Sequence, residues 1–190
     1  MMGFVSFSRS YMNWISYVAS EMKWQPVPSP WQSHTAIIAT LIAIGYAKDS
    51  DLLLAISETG RGIFNCLTGE KVARDRNTNE SEWHDKKHLV GLGIGPLDKQ
   101  EIRLAGDGGG GLKTSTSDGW RLEVISPFWP LSSIVLCPSF GSVIDSEDTE
   151  AGVKIFPKDN GDSILAYGFS DTEKSFVIAT RGHIIMFSRP

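Results

Sequence analysis

The chain has 190 residues, a formal net charge of −4, 41% hydrophobic residues and 21% charged residues. This length allows one domain with a substantial core, and the composition is that of a folded protein rather than a disordered one. The acidic balance and the lack of a Lys/Arg cluster argue against a dedicated nucleic-acid-binding protein, so we predict no nucleic-acid partner.

The first 24 residues predict an amphipathic helix. Their apolar side chains, from Phe4 to Met22, recur every three or four positions and therefore share one helical stripe. Three prolines then prevent the helix from continuing, so residues 25–34 are expected to form a proline-rich connector. The helix is expected either to cover an open end or face of a sheet or to dock on a partner or a second copy.

The location of the protein is predicted from two absences. The start of the chain lacks the basic region and uninterrupted apolar run of an export signal. The apolar run at residues 36–47 is too short to span a bilayer. We therefore expect a cytoplasmic protein with no membrane partner.

Cys66 and Cys137 lie in separate apolar runs and are expected to be buried thiols rather than a disulfide scaffold.

The stretch from Thr35 to Arg74 predicts an antiparallel meander. Runs rich in Leu, Ile and Phe, at Ile44–Ala47, Leu52–Ser57 and Gly62–Leu67, alternate with segments rich in Asp, Ser and Gly that supply turn chemistry. A further segment, Thr68-Gly69-Glu70-Lys71-Val72, closes the unit. The pattern therefore predicts short strands joined by tight turns.

This meander resembles a blade of a WD-repeat-like β-propeller. The small-aromatic pair before an Asp-bearing turn, Tyr46–Asp49, the Gly-centred turn Thr59–Gly62 and the closing Thr68–Val72 match the blade pattern, whereas Asn65-Cys66 stands where the Trp-Asp signature would be. The resemblance implies propeller-like sheets. It also implies partner recognition, because proteins of this kind mostly act as binding platforms.

Residues 165–188 predict a second copy of the meander. Tyr167–Ser170 parallels Ile44–Ala47, and Ser175–Ala179 parallels Leu52–Ile56. Two such units indicate a repeat origin.

An alignment of the two copies with a one-residue gap places Arg61 and Arg181 at matching positions beside Gly-bearing turns. Guanidinium groups match carboxylates and phosphates in geometry, so the pair is expected either to recognise an anion or simply to solvate two turns.

A glycine-rich loop, residues 106–114, is the first candidate ligand site. It fits Gly-x-Gly-x-x-Gly and misses a P-loop because Leu112 separates the last glycine from the Lys-Thr pair. Phosphate binding needs a helix N-terminus after such a loop, whereas the sequence that follows predicts a turn and a strand. The alternatives are a hairpin connection or a loop packed on another strand. The candidate ligand residues are Gly108, Gly109, Gly110, Lys113 and Thr114.

A candidate metal pair lies at His84 and His88. Histidines four residues apart share one face of a helix, as in zinc proteases, and Asp85 takes the place of the general base. The alternative is a polar helix exposed to solvent.

These observations favour a single mainly β domain, residues 1–190, in which antiparallel propeller-like sheets pack together and form a body at residues 35–190, with one amphipathic helix at the N-terminus. No complete catalytic set is present, and no cofactor is predicted. We expect a noncatalytic binding module whose partner is a protein or a second copy, with Trp14, Trp24 and Trp31 as interface candidates. A metal-dependent hydrolase and a nucleotide binder are the alternatives.

Overall fold

A computed structural model describes residues 27–128, 131–138, 153–156 and 163–190. The expected helix at residues 1–24, with Trp14 and Trp24, lies outside the described residues. Two short 3-10 segments, Glu80–Glu82 and Gly95–Leu97, are the only helical elements in the described part. No helix there has the length and apolar character needed to cross a bilayer.

The described residues form fifteen strands. They are β1 (Gln32–Ile37), β2 (Leu41–Tyr46), β3 (Leu52–Ser57), β4 (Gly60–Asn65), β5 (Lys71–Asp75), β6 (His84–Asp85), β7 (Val90–Leu92), β8 (Glu101–Arg103), β9 (Ala105–Gly106), β10 (Arg121–Phe128), β11 (Leu131–Cys137), β12 (Val153–Phe156), β13 (Ile164–Phe169), β14 (Ser175–Thr180) and β15 (His183–Ser188).

These strands form four antiparallel sheets, with strand orders β1-β15-β14-β13, β5-β4-β3-β2-β9, β10-β11-β12 and β6-β7-β8. The prediction of a mainly β protein with antiparallel sheets packed together is confirmed. The two larger sheets contain the two meanders identified in the sequence.

The turn between β2 and β3 shows how the sequence shapes the first meander. Ala47 N donates a 2.9 Å hydrogen bond to Leu52 O, which closes the turn. Asp49 adopts a positive φ of 50°, a conformation that Asp tolerates better than most residues. Ser50 Oγ accepts a hydrogen bond from Leu52 N. Short polar residues therefore form this turn because their side chains satisfy its backbone.

The second meander repeats the strand register of the first. Leu41 lies opposite Ser57, and 123 residues further along both strands Ile164 lies opposite Thr180. Both pairs of strands then shift register at the next residue, and both return to regular pairing with the same offset. The prediction that residues 165–188 are a second copy is confirmed.

The fourth strand of each meander comes from a different part of the chain. β5 follows β4 directly and pairs with it, whereas the equivalent position beside β15 is taken by β1. β1 begins at Gln32, three residues inside the segment expected to be a connector. Pairing with β15 makes these residues a strand, since the backbone groups that face β15 gain partners there.

The two meanders share one hydrophobic core. Strands of both contribute fully buried side chains to a single cluster, which is the arrangement expected for neighbouring sheets that pack face to face. Its principal members are Leu41, Ile44, Leu53, Phe64, Cys66, Val177, Ile184 and Met186.

A buried polar network joins the turns of the two meanders. Asp51 is 9% exposed, and its carboxylate accepts hydrogen bonds from the hydroxyls of Ser170 (2.8 Å), Thr172 (2.7 Å) and Ser175 (2.6 Å). The Tyr46 hydroxyl lies 3.1 Å from Ser175 Oγ. The network therefore ties the turns of the first meander to those of the second.

Cys66 lies beside this network in the shared core. Burial raises the pKa of its thiol to about 12, so the group stays protonated at neutral pH. The expectation of a buried thiol is met at both cysteines, because Cys137 is also fully buried and neither forms a disulfide.

One segment, residues 103–114, runs along the remaining edges of both meanders. β9 pairs with β2, and Phe169 N at the corresponding edge of β13 donates a 2.6 Å hydrogen bond to Lys113 O. The segment therefore covers two strand edges that would otherwise present unpaired backbone groups.

The segment approaches two equivalent glycines closely. A Cβ on Gly45 would lie 2.1 Å from Arg103 O, and a Cβ on Gly168 would lie 2.3 Å from Leu112 Cβ. These positions correspond in the two copies, so both meanders use a glycine to admit the crossing backbone.

Candidate functional site

The structure does not place Arg61 and Arg181 at matching positions of the two meanders. Arg61 lies opposite Ile56, and the equivalent residue opposite Ala179 in the second copy is Ile184. The alignment gap that matched Arg61 with Arg181 does not exist in the structure, because both meanders keep the same strand lengths.

Both arginines are engaged within the chain. Arg61 Nε donates to Asp75 Oδ2 at 3.1 Å, and Arg61 Nη1 donates to Leu92 O at 2.7 Å. Arg181 Nη2 donates to Asp107 Oδ1 at 2.9 Å. The two guanidinium groups therefore satisfy turns and strand ends rather than forming a common anion site.

The glycine-rich loop forms a tight hairpin turn. Gly106 N donates to Gly109 O and Gly109 N donates to Gly106 O, both at 2.9 Å, and Gly109 and Gly110 have φ values of 100° and 81°. Thr114 O accepts from Leu122 N at the start of β10. No helix follows the loop, so Gly108, Gly109, Gly110, Lys113 and Thr114 lack the helix N-terminus on which the phosphate hypothesis depends.

Lys113 has a structural partner in Glu173, which lies in the turn between β13 and β14. The Glu173 carboxylate accepts hydrogen bonds from Lys113 Nζ, from Ser117 N at 2.8 Å and from Ser117 Oγ at 2.6 Å. The Lys113 ammonium, followed by the Ser117 donors, lowers the Glu173 pKa to about 2. Glu173 therefore fastens the crossing segment to the second meander.

This contact predicts a loss of stability in acid. Because the folded-state pKa of Glu173 lies below its usual value of 4.5, its contribution is present above that value and disappears as pH falls towards 2. We expect Glu173→Gln to lower the free energy of unfolding at pH 7 by about 1 kcal/mol, since nearby solvent screens the pair, and to flatten the decline below pH 4.5. Urea titrations between pH 2.5 and 7 measure this. Glu58→Gln, an exposed control, should leave the profile unchanged; equal effects would contradict the assignment.

The helix expected to carry His84 and His88 is absent. His84 belongs to β6, and the residues after Asp85 form a turn that leads into β7. His88 Nδ1 lies 2.7 Å from Asp85 Oδ2, whereas His84 Nδ1 faces Glu80 Oε2 at 3.7 Å. Within the described ranges, no three His, Cys, Asp or Glu side chains are grouped to hold a metal ion.

Trp31 lies in the core rather than on the surface. Its side chain is 4% exposed and packs edge-on against Phe176 at 4.8 Å and against Trp120 at 5.9 Å between ring centroids. The Arg189 guanidinium covers its ring at 4.9 Å. Trp31 therefore stabilises the sheet packing, and its ring is not available to a partner.

A cleft that sequence reasoning missed lies between the β1–β2 connection and the face of β3, β4 and β5. We call it the basic cleft; its volume is about 460 Å³, and the side chains that define its chemistry are Ile37, Ile38, Phe64, Lys71, Arg74 and Arg76. No acidic residue is among the described residues that line it. Three cations therefore face one opening in a protein whose net charge is −4.

The basic cleft combines charge with apolar surface. Ile37 is 87% exposed at its rim, and Lys71 Nζ lies 5.5 Å above the ring of buried Phe64. Arg74 Nη2 donates 2.8 Å hydrogen bonds to Thr59 O and Thr59 Oγ1, which fixes the guanidinium at the opening. The arrangement can hold an anion and cover an apolar group at the same time.

A second cleft lies around β6 and β7. We call it the acidic cleft; its volume is about 630 Å³, and the residues that define its chemistry are Glu82, Trp83, His84, Asp85, Lys86 and Glu101. Three of these residues carry carboxylates and one is a lysine, so the acidic cleft and the basic cleft have opposite charge. The Arg61 guanidinium covers the Trp83 ring at 4.9 Å.

Comparison of the chain with family models, with curated proteins and with solved structures finds no match.

Proposed function

We propose that the protein is a noncatalytic binding module that captures an acidic, partly apolar segment of a partner protein in the basic cleft. The observation that carries this proposal is the meeting of Lys71, Arg74 and Arg76 with exposed Ile37 at one opening, where the described lining residues include no carboxylate. In this proposal the two meanders act as blade-like units of a propeller-like platform, in keeping with the WD-repeat-like resemblance.

Charge and apolar surface have separate roles in this proposal. The cationic opening attracts a negatively charged segment over a distance of about a Debye length, 8 Å at physiological salt. Arg76 and Arg74 then pair with carboxylates, whose geometry a guanidinium matches. An apolar side chain of the partner covers Ile37, which is otherwise 87% exposed to water.

The walls of the basic cleft favour a preformed site. Phe64 belongs to the core that both meanders share, and Arg74 is already fixed on Thr59. A partner that binds such a surface does not have to order it first, which reduces the entropic cost of association.

Charge reversal in the basic cleft tests the proposal. We expect Lys71→Glu combined with Arg76→Glu to weaken binding of a fluorescein-labelled peptide of alternating Glu and Leu at least tenfold, measured by fluorescence anisotropy at low salt. Arg74 stays unchanged because it supports Thr59. The matched control, Lys48→Glu with Lys87→Glu, changes the net charge equally at two exposed positions.

The control should bind the peptide within about twofold of the unmodified protein, and raising the salt should weaken binding of the unmodified protein. Equal losses in both double variants would show that only overall charge matters and would overturn the assignment to the basic cleft. Failure of the unmodified protein to bind the Glu-Leu peptide would overturn the proposed function itself.

A further inference from the structure

β1 lies at an outer edge of its sheet and directs backbone groups away from that sheet. Just beyond the end of β1, Ile38 N donates a 3.0 Å hydrogen bond to Gly182 O, in the same register that pairs β1 with β15. Because the backbone groups of an antiparallel strand turn alternately to its two sides, the even-numbered residues of β1 bond β15. No other described strand pairs with β1. The residues whose N–H and C=O groups point outwards are therefore Ser33, Thr35 and Ile37.

The sequence of β1 lacks the features that usually protect an edge strand. It reads Gln-Ser-His-Thr-Ala-Ile and contains no proline, acidic residue, lysine or arginine. By contrast, β5 is the outer strand of the first meander and carries Lys71, Arg74 and Asp75. An edge strand without charges or proline readily pairs with another extended chain. The outer edge of β1 is therefore open to an added strand.

The two faces of β1 would offer an added strand different surroundings. Ala36 and Ile38 pack against the core that both meanders share, so the even-numbered side chains face the first meander and its basic cleft. The odd-numbered side chains point to the opposite face and are all exposed, Ile37 by 87%. Side chains of neighbouring strands alternate in step. Every second residue of an added strand therefore faces the basic cleft, and the others lie on the face of Ile37.

We propose that the acidic, partly apolar segment binds as an antiparallel strand along the outer edge of β1, with acidic side chains towards the basic cleft and apolar side chains beside Ile37. This inference rests on the proposed function and specifies its partner, an extended segment in which acidic and apolar residues alternate. Main-chain hydrogen bonds to β1 supply affinity, and the alternation supplies specificity. Antiparallel pairing matches every strand pair of this sheet.

A second copy of the chain is a poorer occupant of the same edge. Pairing of β1 with β1 of another copy would bring a second basic cleft to this edge, with three further cations. Like charges brought together at an interface oppose binding. The charge of the basic cleft therefore favours an acidic strand.

Two labelled peptides of identical composition test the alternation. One alternates Glu and Leu, and the other carries the same residues as a block of Glu followed by a block of Leu. We expect the alternating peptide to bind about tenfold more tightly in fluorescence anisotropy, because only this peptide places all its carboxylates on one side of a strand. Equal binding would overturn strand addition and leave capture in the basic cleft standing, whereas binding of neither peptide would remove the proposed function.

N-methylation of the alternating peptide tests the main-chain pairing. In an antiparallel pair, the residue opposite Thr35 exchanges hydrogen bonds with it and shares its face, so the Leu nitrogens face β1 and the Glu nitrogens point outwards. We expect N-methylation of the Leu residues to weaken binding about tenfold and N-methylation of the Glu residues to change it less than about twofold. Equal losses, or the reverse order, would overturn the proposal.

A substitution in β1 tests the same contact from the side of the protein. Thr35→Pro removes an N–H group that points away from β15, and edge strands tolerate proline at such positions. We expect this variant to bind the alternating peptide about tenfold more weakly, whereas Thr35→Ala, which keeps the N–H group, should bind within about twofold of the unmodified protein. Urea unfolding checks that Thr35→Pro is folded. Unchanged binding by folded Thr35→Pro would contradict strand addition, and the N-methylated peptides decide the matter on the unmodified protein if this variant does not fold.

Discussion

Replacing Asp51 by alanine is expected to lower the free energy of unfolding by about 3 kcal/mol. The substitution removes a buried carboxylate that accepts hydrogen bonds from three hydroxyls of the second meander, on Ser170, Thr172 and Ser175. Those donors would then remain buried without an acceptor, and each unsatisfied group costs free energy because it has lost water without gaining a partner. Urea denaturation followed by circular dichroism measures the change, with the slope used to confirm a single transition.

Asp171→Ala is the matched control for this prediction. Asp171 is an exposed aspartate in the adjoining turn, and its carboxylate accepts a single 3.2 Å hydrogen bond from Asp49 N. We expect that change to cost less than about 0.5 kcal/mol. A cost for Asp51→Ala no larger than that of Asp171→Ala would show that the polar network adds nothing to the packing of the two meanders.

The local features of the meanders were predictable from sequence, whereas the long-range pairing was not. Apolar runs and the polar turn around Asp49 specify strands and reversals within a few residues, and both copies carry them. The pairing of β1 with β15 joins residues more than 140 positions apart, from Gln32 to Ser188, and no local pattern identifies a strand's distant partner.

The repeat alignment failed where side-chain identity and backbone geometry disagreed. A match between two Thr-bearing, Gly-bearing turns required a gap and paired Arg61 with Arg181. The structure keeps the strand register instead, in which Arg61 corresponds to Ile184, three residues beyond Arg181, because a shift by an odd number of residues would turn every core side chain towards solvent.

The sequence predicted a helix at His84 and His88, but these residues form a short strand and a turn. His88 N donates a 3.0 Å hydrogen bond to Asp85 Oδ1, so a short polar side chain satisfies the backbone of the turn that residues 86–89 form in place of a helix. His84 then pairs with Gly91 across a hairpin. Spacing of four residues was therefore a poor guide, since it has meaning only on a helix.

The basic cleft was missed because its cations are separated by other residues in the sequence. Arg74 and Arg76 alternate with Asp75, whose carboxylate turns to Arg61 instead of the cleft. Alternation along a strand separates these charges onto opposite faces, so a sequence segment of mixed charge produces a surface of one sign. The apolar half of the cleft comes from the β1–β2 connection, which only the folded chain brings close.

Gly45→Ala and Gly168→Ala are each expected to destabilise the protein by about 3 kcal/mol, the upper part of the range for overpacking. A Cβ at these positions would lie 2.1 Å from Arg103 O and 2.3 Å from Leu112 Cβ, whereas uncharged atoms in contact prefer about 3.5 Å or more. The added Cβ therefore forces segment 103–114 away from the edge of the strand. Thermal and urea unfolding measure the loss.

Gly182→Ala is the control, because a Cβ there has no neighbour within 4 Å and the residue does not need a left-handed conformation. We expect it to change stability by less than about 0.5 kcal/mol, or to stabilise slightly by restricting the unfolded chain. The Phe169 amide donates a hydrogen bond to Lys113 O. It should therefore lose protection from hydrogen exchange in Gly168→Ala but not in Gly45→Ala. Comparable stability for Gly45→Ala and Gly182→Ala would mean that the crossing segment is not held tightly against the first meander, and the equivalence of the two copies at this edge would fail with it.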